Sequence, residues 1–235
     1  MADTKLDVRV YPIDEPKSST RAFASICIDD LLAIRGIRVY ENEKGMTVAM
    51  PQSKDKDNKF HDIAYPLTGE LRKEITATVL KEYERAANLA PEQRGYDPRA
   101  KGDESNAQMR DVKLDIRIHH IEEPKGNTKA FATVGIDDLA VIRGVRVVDS
   151  YKGLFVTMPQ SKNSEGEYHD IAFPVVGNLR KEITQAVLDG YSANERAADR
   201  KPKLSDGLRD GAAKAAGHAA MPRETVAKSR AGVLE

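Results

Sequence analysis

The chain has 235 residues, of which 40% are hydrophobic and 31% are charged, and this composition is ordinary for a soluble globular protein. Lysine and arginine together number 37, as do aspartate and glutamate. This balance excludes the overall positive field of a strongly basic nucleic-acid-binding domain, so any phosphate-binding surface must be a local patch. The single cysteine, Cys27, excludes an intrachain disulfide framework and a cysteine zinc site.

The sequence contains no apolar run of membrane-spanning length, and its first residues lack the apolar core of a signal peptide. Together with the cysteine content, this favours a cytoplasmic protein that does not enter a membrane.

The dominant feature of the sequence is a duplication. Residues 5–83 match residues 113–191 without a gap, and more than half of the aligned positions are identical. Each copy is long enough to hold its own hydrophobic core. We therefore expect two homologous domains, a polar linker and a polar, disordered C-terminal tail, with bounds of 1–87, 112–193, 88–111 and 194–235 respectively.

The first three predicted elements of each copy are strands. In the first copy, LDVRV alternates apolar and polar residues, which predicts a strand with one buried face. RAFASICI predicts a second strand, with Phe23 on the face opposite to its alanines and isoleucines. IRGIRVY predicts a third strand, in which Gly36 (Gly144 in the second copy) favours a β-bulge. Such a bulge would bring Arg35 and Arg38 onto one face.

A tight turn, two more strands and a helix complete each copy. The turn is predicted at Gly45 and Gly153, and the helix follows from apolar residues that recur every four positions. These residues are Leu71, Ile75, Val79 and Tyr83, and Leu179, Ile183, Val187 and Tyr191. Each copy is therefore predicted to be an α+β domain, an antiparallel β-meander of about five strands plus a C-terminal amphipathic helix. The linker is long enough for the copies to pack as an intramolecular pseudo-dimer.

Several motifs occur in the same order in both copies. They are AFAS and AFAT, IDDL twice, GIRV and GVRV, GMTVAMP and GLFVTMP, and HDIAYP and HDIAFP. In this order they resemble the SpoVG family (stage V sporulation protein G, a septation regulator), with the domain duplicated in tandem. The resemblance implies a bacterial, cytoplasmic, non-enzymatic regulator of septation, cell division, sporulation or gene expression. It also implies that the domains dimerise and that the partner is DNA or RNA.

The resemblance further implies a nucleic-acid-binding site. Family members carry basic residues at the start of the helix and after the Met-Pro turn, and the matching stretches here are GELRKEI, GNLRKEI and QSK in both copies. The residues that we expect to contact DNA or RNA are Arg72, Lys73, Arg180 and Lys181, followed by Lys54 and Lys162.

The start of the helix is also a candidate phosphate site on physical grounds. Cations near a helix N-terminus are unfavourable by about 0.3–1 kcal/mol each, and a bound anion would relieve that cost. The alternative is that Glu70, Glu74 and Glu182 neutralise the basic pairs through contacts along the helix. The second copy has Asn178 where the first has Glu70, so its helix start should be the more positive.

Two other residue sets leave alternatives open. The strand arginines Arg35, Arg38, Arg143 and Arg146 could form a basic track, or they could pair with the aspartates Asp29, Asp30, Asp137 and Asp138. The aromatic residues Phe23, Phe131, Phe60 and Tyr168 lie in predicted strands and face either a core or a ligand, because single-strand binders stack bases on exposed rings.

The remaining candidates favour structural roles. The Asp-Asp pairs are interpreted as turn caps, because adjacent strand residues point to opposite faces and cannot share a metal. His61 and His169 lack a nucleophile or further ligands, and Cys27 aligns with Gly135, so its thiol is interpreted as a strand filler. We expect no enzyme activity, no metal and no cofactor. The rival function is a protein-protein interaction module that uses open sheet edges, and further self-association of the pseudo-dimer is possible in either case.

Overall fold

A computed structural model describes residues 4–55, 57–89, 111–124, 126–163 and 165–200, with the backbone alone for 194–200. Most of the predicted linker, and the predicted tail beyond residue 200, lie outside the described residues.

In the described residues, each copy has seven strands followed by one helix. The elements of the first copy are β1 (Leu6–Pro12), β2 (Thr20–Ile28), β3 (Leu32–Asn42), β4 (Gly45–Ala49), β5 (Gln52–Lys54), β6 (Phe60–Asp62), β7 (Ala64–Pro66) and α1 (Gly69–Ala87). Those of the second copy are β8 (Leu114–His120), β9 (Thr128–Ile136), β10 (Ala140–Ser150), β11 (Gly153–Thr157), β12 (Gln160–Lys162), β13 (Tyr168–Asp170), β14 (Ala172–Pro174) and α2 (Gly177–Arg200). The α2 helix continues past residue 193, the predicted end of the second domain.

The predicted meander is present in both copies. In the first copy, β1 pairs with β2, β2 with β3 and β3 with β4, all antiparallel. The alanines and isoleucines of β2 are buried, as the alternation predicts, and α1 packs on the same face through its buried Leu71, Ile75 and Val79. The α+β prediction, with one C-terminal helix in each copy, is therefore confirmed.

A β-bulge interrupts β3 at the predicted position. Ser25 of β2 stands opposite both Arg35 and Gly36, because the pairing register shifts by one residue there. The backbone φ of Gly36 is +74° and that of Gly144 is +76°, values that favour glycine because it has no Cβ. The extra residue places Arg35 and Arg38 on the face opposite to the buried isoleucines of β3.

The segment predicted as the fifth strand forms two short strands, and the second of them pairs with a strand of the other copy. In the first copy, β6 forms a small hairpin with β5, whereas β7 pairs with β10 of the second copy. Reciprocally, β14 pairs with residues 32–34 of β3. That part of β3 offers an unpaired edge because β4 pairs only with the later residues, 38–42. Two five-stranded sheets result, each with one strand from the other copy.

The exchange joins the two copies into one core. Buried residues of both copies form a single cluster, which includes Phe173 of β14. Residues Met1–Asn194 form one compact unit that contains both copies. The predicted intramolecular pseudo-dimer is thus built by exchanged strands as well as by packed surfaces.

Candidate nucleic-acid interface

The β5–β6 and β12–β13 hairpins each carry a lysine above an exposed aromatic ring. Lys54 Nζ lies 5.0 Å from the centroid of the Phe60 ring, and Lys162 Nζ lies 5.8 Å from that of Tyr168. The two rings are 59% and 64% exposed. A ring with one face toward solvent and a cation beside it can accept a stacked base and a phosphate at neighbouring points.

The start of each helix is tied to the base of the hairpin in its own copy. Arg72 donates from Nη2 to Asp62 Oδ2 at 2.9 Å, and Gln52 Nε2 donates to the other carboxylate oxygen of Asp62 at 2.8 Å. The second copy repeats both bonds, with Arg180 and Gln160 donating to Asp170. The acidic partner of each helix arginine is therefore a strand aspartate, whereas the alternative interpretation named the helix glutamates.

These contacts link the predicted hairpin lysine and helix arginine into two surfaces, one in each copy, and Lys73 and Lys181 follow the arginines in the sequence. We call these surfaces the hairpin–helix patches. The first consists of Lys54, Phe60, Arg72 and Lys73, and the second of Lys162, Tyr168, Arg180 and Lys181. Both lysines of the helix starts are exposed. The side chains of Arg72 and Arg180 are each 47% exposed, and ion pairs this exposed are worth only about 0–1 kcal/mol. A phosphate can therefore compete with the aspartate for the guanidinium group.

The copies differ at the first turn of the helix. In α1, Thr68 is the N-cap, and its Oγ1 accepts a hydrogen bond from the backbone N–H of Leu71 at 3.1 Å. Position 176 of the second copy holds a buried valine instead. Glu70 also adds an acidic group to the first turn of α1, whereas the first turn of α2 has none. The helix start of the second patch therefore lacks the acidic residue that α1 carries there, and it is the more positive of the two.

Both sheets expose a phenylalanine on the face that points away from the helix. Phe23 is 47% exposed and Phe131 is 43% exposed. Phe23 pairs in register with Tyr11 on one side and Arg38 on the other. These rings were open to either interpretation in the sequence, and the structure places them outside the core.

The arginines of the bulges lie over rings from the opposite copy. The guanidinium carbon of Arg35 is 4.7 Å from the ring centroid of Phe173, and that of Arg143 is 4.9 Å from Tyr65. Because Phe173 and Tyr65 arrive on the exchanged strands, no pattern within a single copy indicates these contacts.

The Asp-Asp pairs serve the turns. Asp29 has a φ of +51°, and its Oδ1 accepts a hydrogen bond from the backbone N–H of Lys5 at 2.8 Å. Asp137 accepts the equivalent bond from Lys113 at 2.7 Å. Asp29 and Asp137 therefore have a structural role, in which each holds the residue that precedes the first strand of its copy. Cys27 is buried in β2, in line with its interpretation as a strand filler.

A groove lies between the sheet of the first copy and the β12–β13 hairpin of the second. It has a volume of about 320 Å³, and it is lined by Phe23 and Arg35 from the first copy and by Ser161, His169 and Asp170 from the second. Asp170 is the residue that holds Arg180. The groove therefore extends from an exposed ring of one copy to the aspartate that holds the helix arginine of the other.

The repeated histidines belong to the hairpin loops. In the first copy, His61 Nε2 lies 2.6 Å from Asp55 Oδ2. This hydrogen bond and the backbone N–H groups of Lys59 and Asp57 hold the pKa of the Asp55 carboxyl below its ordinary value. In the second copy, Asn163 contacts His169 in the same place. A loop-stabilising role accounts for both histidines.

The described residues contain neither a candidate metal site nor a candidate membrane-spanning helix. No group of three or more histidine, cysteine, aspartate or glutamate side chains among them is arranged to hold a metal ion. Within the same residues, neither helix combines the length and the apolar character needed to cross a membrane.

Comparison with known proteins gives two matches to one family. The family model described as SpoVG matches residues 4–85 and again residues 112–193. Curated relatives are similar over about one copy of this chain, which agrees with the duplication. The resemblance drawn from the motifs is therefore confirmed for both copies.

Three relatives illustrate the match. A protein called "Putative septation protein SpoVG" from Anaeromyxobacter sp. (strain Fw109-5) is 39% identical over 79 residues, which are 34% of this chain and 79% of the relative. The protein of the same name from Heliobacterium modesticaldum is 42% identical over 77 residues, 33% of this chain and 85% of the relative. "Putative septation protein SpoVG 1" from Listeria monocytogenes serotype 4b is 36% identical over 92 residues, which are 39% of this chain and 89% of the relative.

Proposed function

The chain belongs to the SpoVG family, and on that premise we propose that it is a cytoplasmic, non-enzymatic regulator that binds DNA or RNA and acts in septation or sporulation. The link to septation comes from the names of its relatives. The nucleic-acid binding is argued from the surface of this chain.

One observation carries the binding proposal: each copy links a lysine, an exposed ring and an arginine in one hairpin–helix patch, with a further lysine next to the arginine in the sequence. In the second patch, Lys162 lies over Tyr168, and Arg180 is held at the base of the same hairpin. Lysine and arginine contact phosphates, and the ring offers a base-stacking face. The zero net charge of the whole chain does not oppose this, because the charges that matter are local.

The two patches allow a bivalent mode of binding. They sit in one compact unit, so a nucleic acid that engages one patch is held close to the other. Only a few phosphates are neutralised by each patch, so we expect modest affinity that falls steeply as salt increases.

The test is a titration of the full chain with labelled single-stranded RNA and duplex DNA at low and high salt. The Arg72→Glu/Arg180→Glu variant reverses one charge in each patch and should lose most of the salt-sensitive binding. Arg85→Glu is the matched control, because Arg85 is an exposed arginine at the other end of α1, paired with Glu82. Binding that is lost equally in the control would contradict the assignment to the patches.

A second candidate is a protein-interaction module. The strand β11 pairs with β10, and it exposes Leu154 and Phe155, which are 40% and 43% accessible. An apolar strand at a sheet edge can receive a strand from a partner. Absence of nucleic-acid binding even at low salt would favour this function, and a pull-down with the β11 variant Phe155→Lys would then test it.

A further inference from the structure

The outer faces of the two sheets carry a second set of aromatic residues, separate from the hairpin–helix patches. Phe23 and Phe131 are both close to half exposed, although phenylalanine is among the residues most often buried. Each stands in the middle of a cross-strand row. The rows are Tyr11–Phe23–Arg38 in the first sheet and His119–Phe131–Arg146 in the second.

We propose that these faces are stacking platforms for unpaired bases, so that the nucleic acid bound by this protein is single-stranded. The inference rests on the proposed function and specifies its ligand. A duplex keeps the faces of its bases inside the stack, whereas a single strand can turn them outward onto aromatic side chains.

The row geometry suits a nucleotide. Residues that face each other across antiparallel strands have Cβ atoms about 4.5–5.5 Å apart. A base stacked on Phe23 therefore has Arg38 beside it, and a guanidinium group can bond a phosphate through two parallel N–H groups. Tyr11 on the other side adds a second ring to the first platform, and His119 adds one to the second.

The charge of the face is complementary to a phosphate backbone. The first sheet places Arg9, Arg35 and Arg38 on the same face as Phe23, where Asp7 is their acidic neighbour. The second sheet repeats these arginines as Arg117, Arg143 and Arg146, where Asp115, Asp137 and Asp138 are the acidic neighbours and Asp115 pairs with Arg117. The arginine excess on the first sheet favours a polyanion over a protein partner, which would need the rings alone.

A single nucleic-acid strand can contact both the Phe23 platform and the start of α2. The groove that contains Phe23 and Arg35 is lined on its other side by Asp170, which bonds to Arg180 of the second patch. A strand whose base stacks on Phe23 can thus continue toward the basic start of α2. This groove exists only because the β12–β13 hairpin of the second copy lies against the sheet of the first.

The chain contains no tryptophan, so a Phe23→Trp variant of the full chain carries a single fluorescent probe at the platform. Addition of 12-nucleotide oligo(dT) or oligo(rU) should quench this probe, because the base stacks on the indole. Leu154→Trp is the control, since Leu154 of β11 is 40% exposed and pairs in register with Asp149, outside both rows. Its quenching should be much weaker.

Affinity measurements complete the test. The Phe23→Ala/Phe131→Ala variant should bind oligo(dT) and oligo(rU) about tenfold or more weakly, since stacking contributes on that scale for each base. The Phe23→Tyr/Phe131→Tyr variant keeps the rings and should restore binding. A 12-base-pair duplex should bind more weakly than either single strand and should be insensitive to both variants.

The outcomes separate the inference from the proposed function. If duplex DNA binds as tightly as the single strands and only Arg72→Glu/Arg180→Glu weakens it, the platforms are overturned while the proposed function stands. If no nucleic acid binds at low salt, the proposed function fails and the inference fails with it. If the alanine variant keeps its nucleic-acid affinity but changes the oligomeric state in light scattering, the faces contact protein, and the inference is overturned.

Discussion

The guanidinium carbon of Arg35 lies 4.7 Å from the ring centroid of Phe173, and the two residues belong to different copies of the repeat. Phe173 reaches this position on β14, which pairs with β3 immediately before the bulge. A cation–π contact of this kind contributes about 0.5–2 kcal/mol, depending on its exposure. The strand exchange therefore brings side-chain contacts as well as backbone pairing, and the copies should unfold together.

Phe173→Ala should destabilise the whole unit. Phe173 is 6% exposed and part of the common core, and truncation of a buried phenylalanine typically costs about 3–5 kcal/mol. Tyr65→Ala removes the equivalent residue of the first copy, but Tyr65 is only half-buried, so its loss should be smaller. The free energy of unfolding from urea denaturation measures both. Equal losses would contradict the difference in burial, and two separate transitions for Phe173→Ala would contradict a shared core.

A single copy, residues 1–89, should form a homodimer. Its β7 segment pairs with the other copy in the full chain, so an isolated copy leaves the edge of β3 at residues 32–34 uncovered. Since AYP of β7 resembles AFP of β14, two such chains can exchange β7 in the same manner. Light scattering at several concentrations checks this. A folded monomer would show that β7 can return to its own sheet.

The local elements could be predicted from the sequence because each depends on short-range patterns. Alternation indicated which face of β2 is buried, and Gly36 indicated the bulge that aligns Arg35 with Arg38. The exchange could not be predicted, because AYP has the same pattern whether it pairs within its own copy or with the other. For the same reason the groove between Phe23 and Asp170 could not be predicted. Asp62 was also missed as the partner of Arg72, since ten residues of hairpin and turn separate them.

The glycine of the bulge should resist substitution for backbone reasons alone. A Cβ at Gly36 would meet Pro51 Cβ at 3.9 Å, an ordinary contact, but the φ of +74° is unfavourable for alanine. Gly36→Ala should therefore lower the free energy of unfolding by about 1–2 kcal/mol. Gly69→Ala is the matched control, because Gly69 begins α1 with open space around it and without a positive φ. It should be neutral or slightly stabilising in the same urea denaturation, and a similar loss at both glycines would point to a cause other than the bulge.

Asp55 should titrate below its ordinary pKa of 3.8, chiefly because it accepts a hydrogen bond from His61. The folded state thus favours the carboxylate, so the contribution of Asp55 to stability is present above the unfolded pKa and is lost as pH falls through the lower folded pKa. Carboxyl-detected NMR of the full chain measures the value directly. His61→Ala removes the largest cause and should move the pKa of Asp55 back up, whereas His169→Ala should leave it unchanged, since His169 contacts Asn163 in the other hairpin.

In acid denaturation, the difference in unfolding free energy between the wild type and Asp55→Asn should be constant above pH 3.8 and shrink below it. A titration of Asp55 at or above its ordinary pKa would contradict the role given to His61.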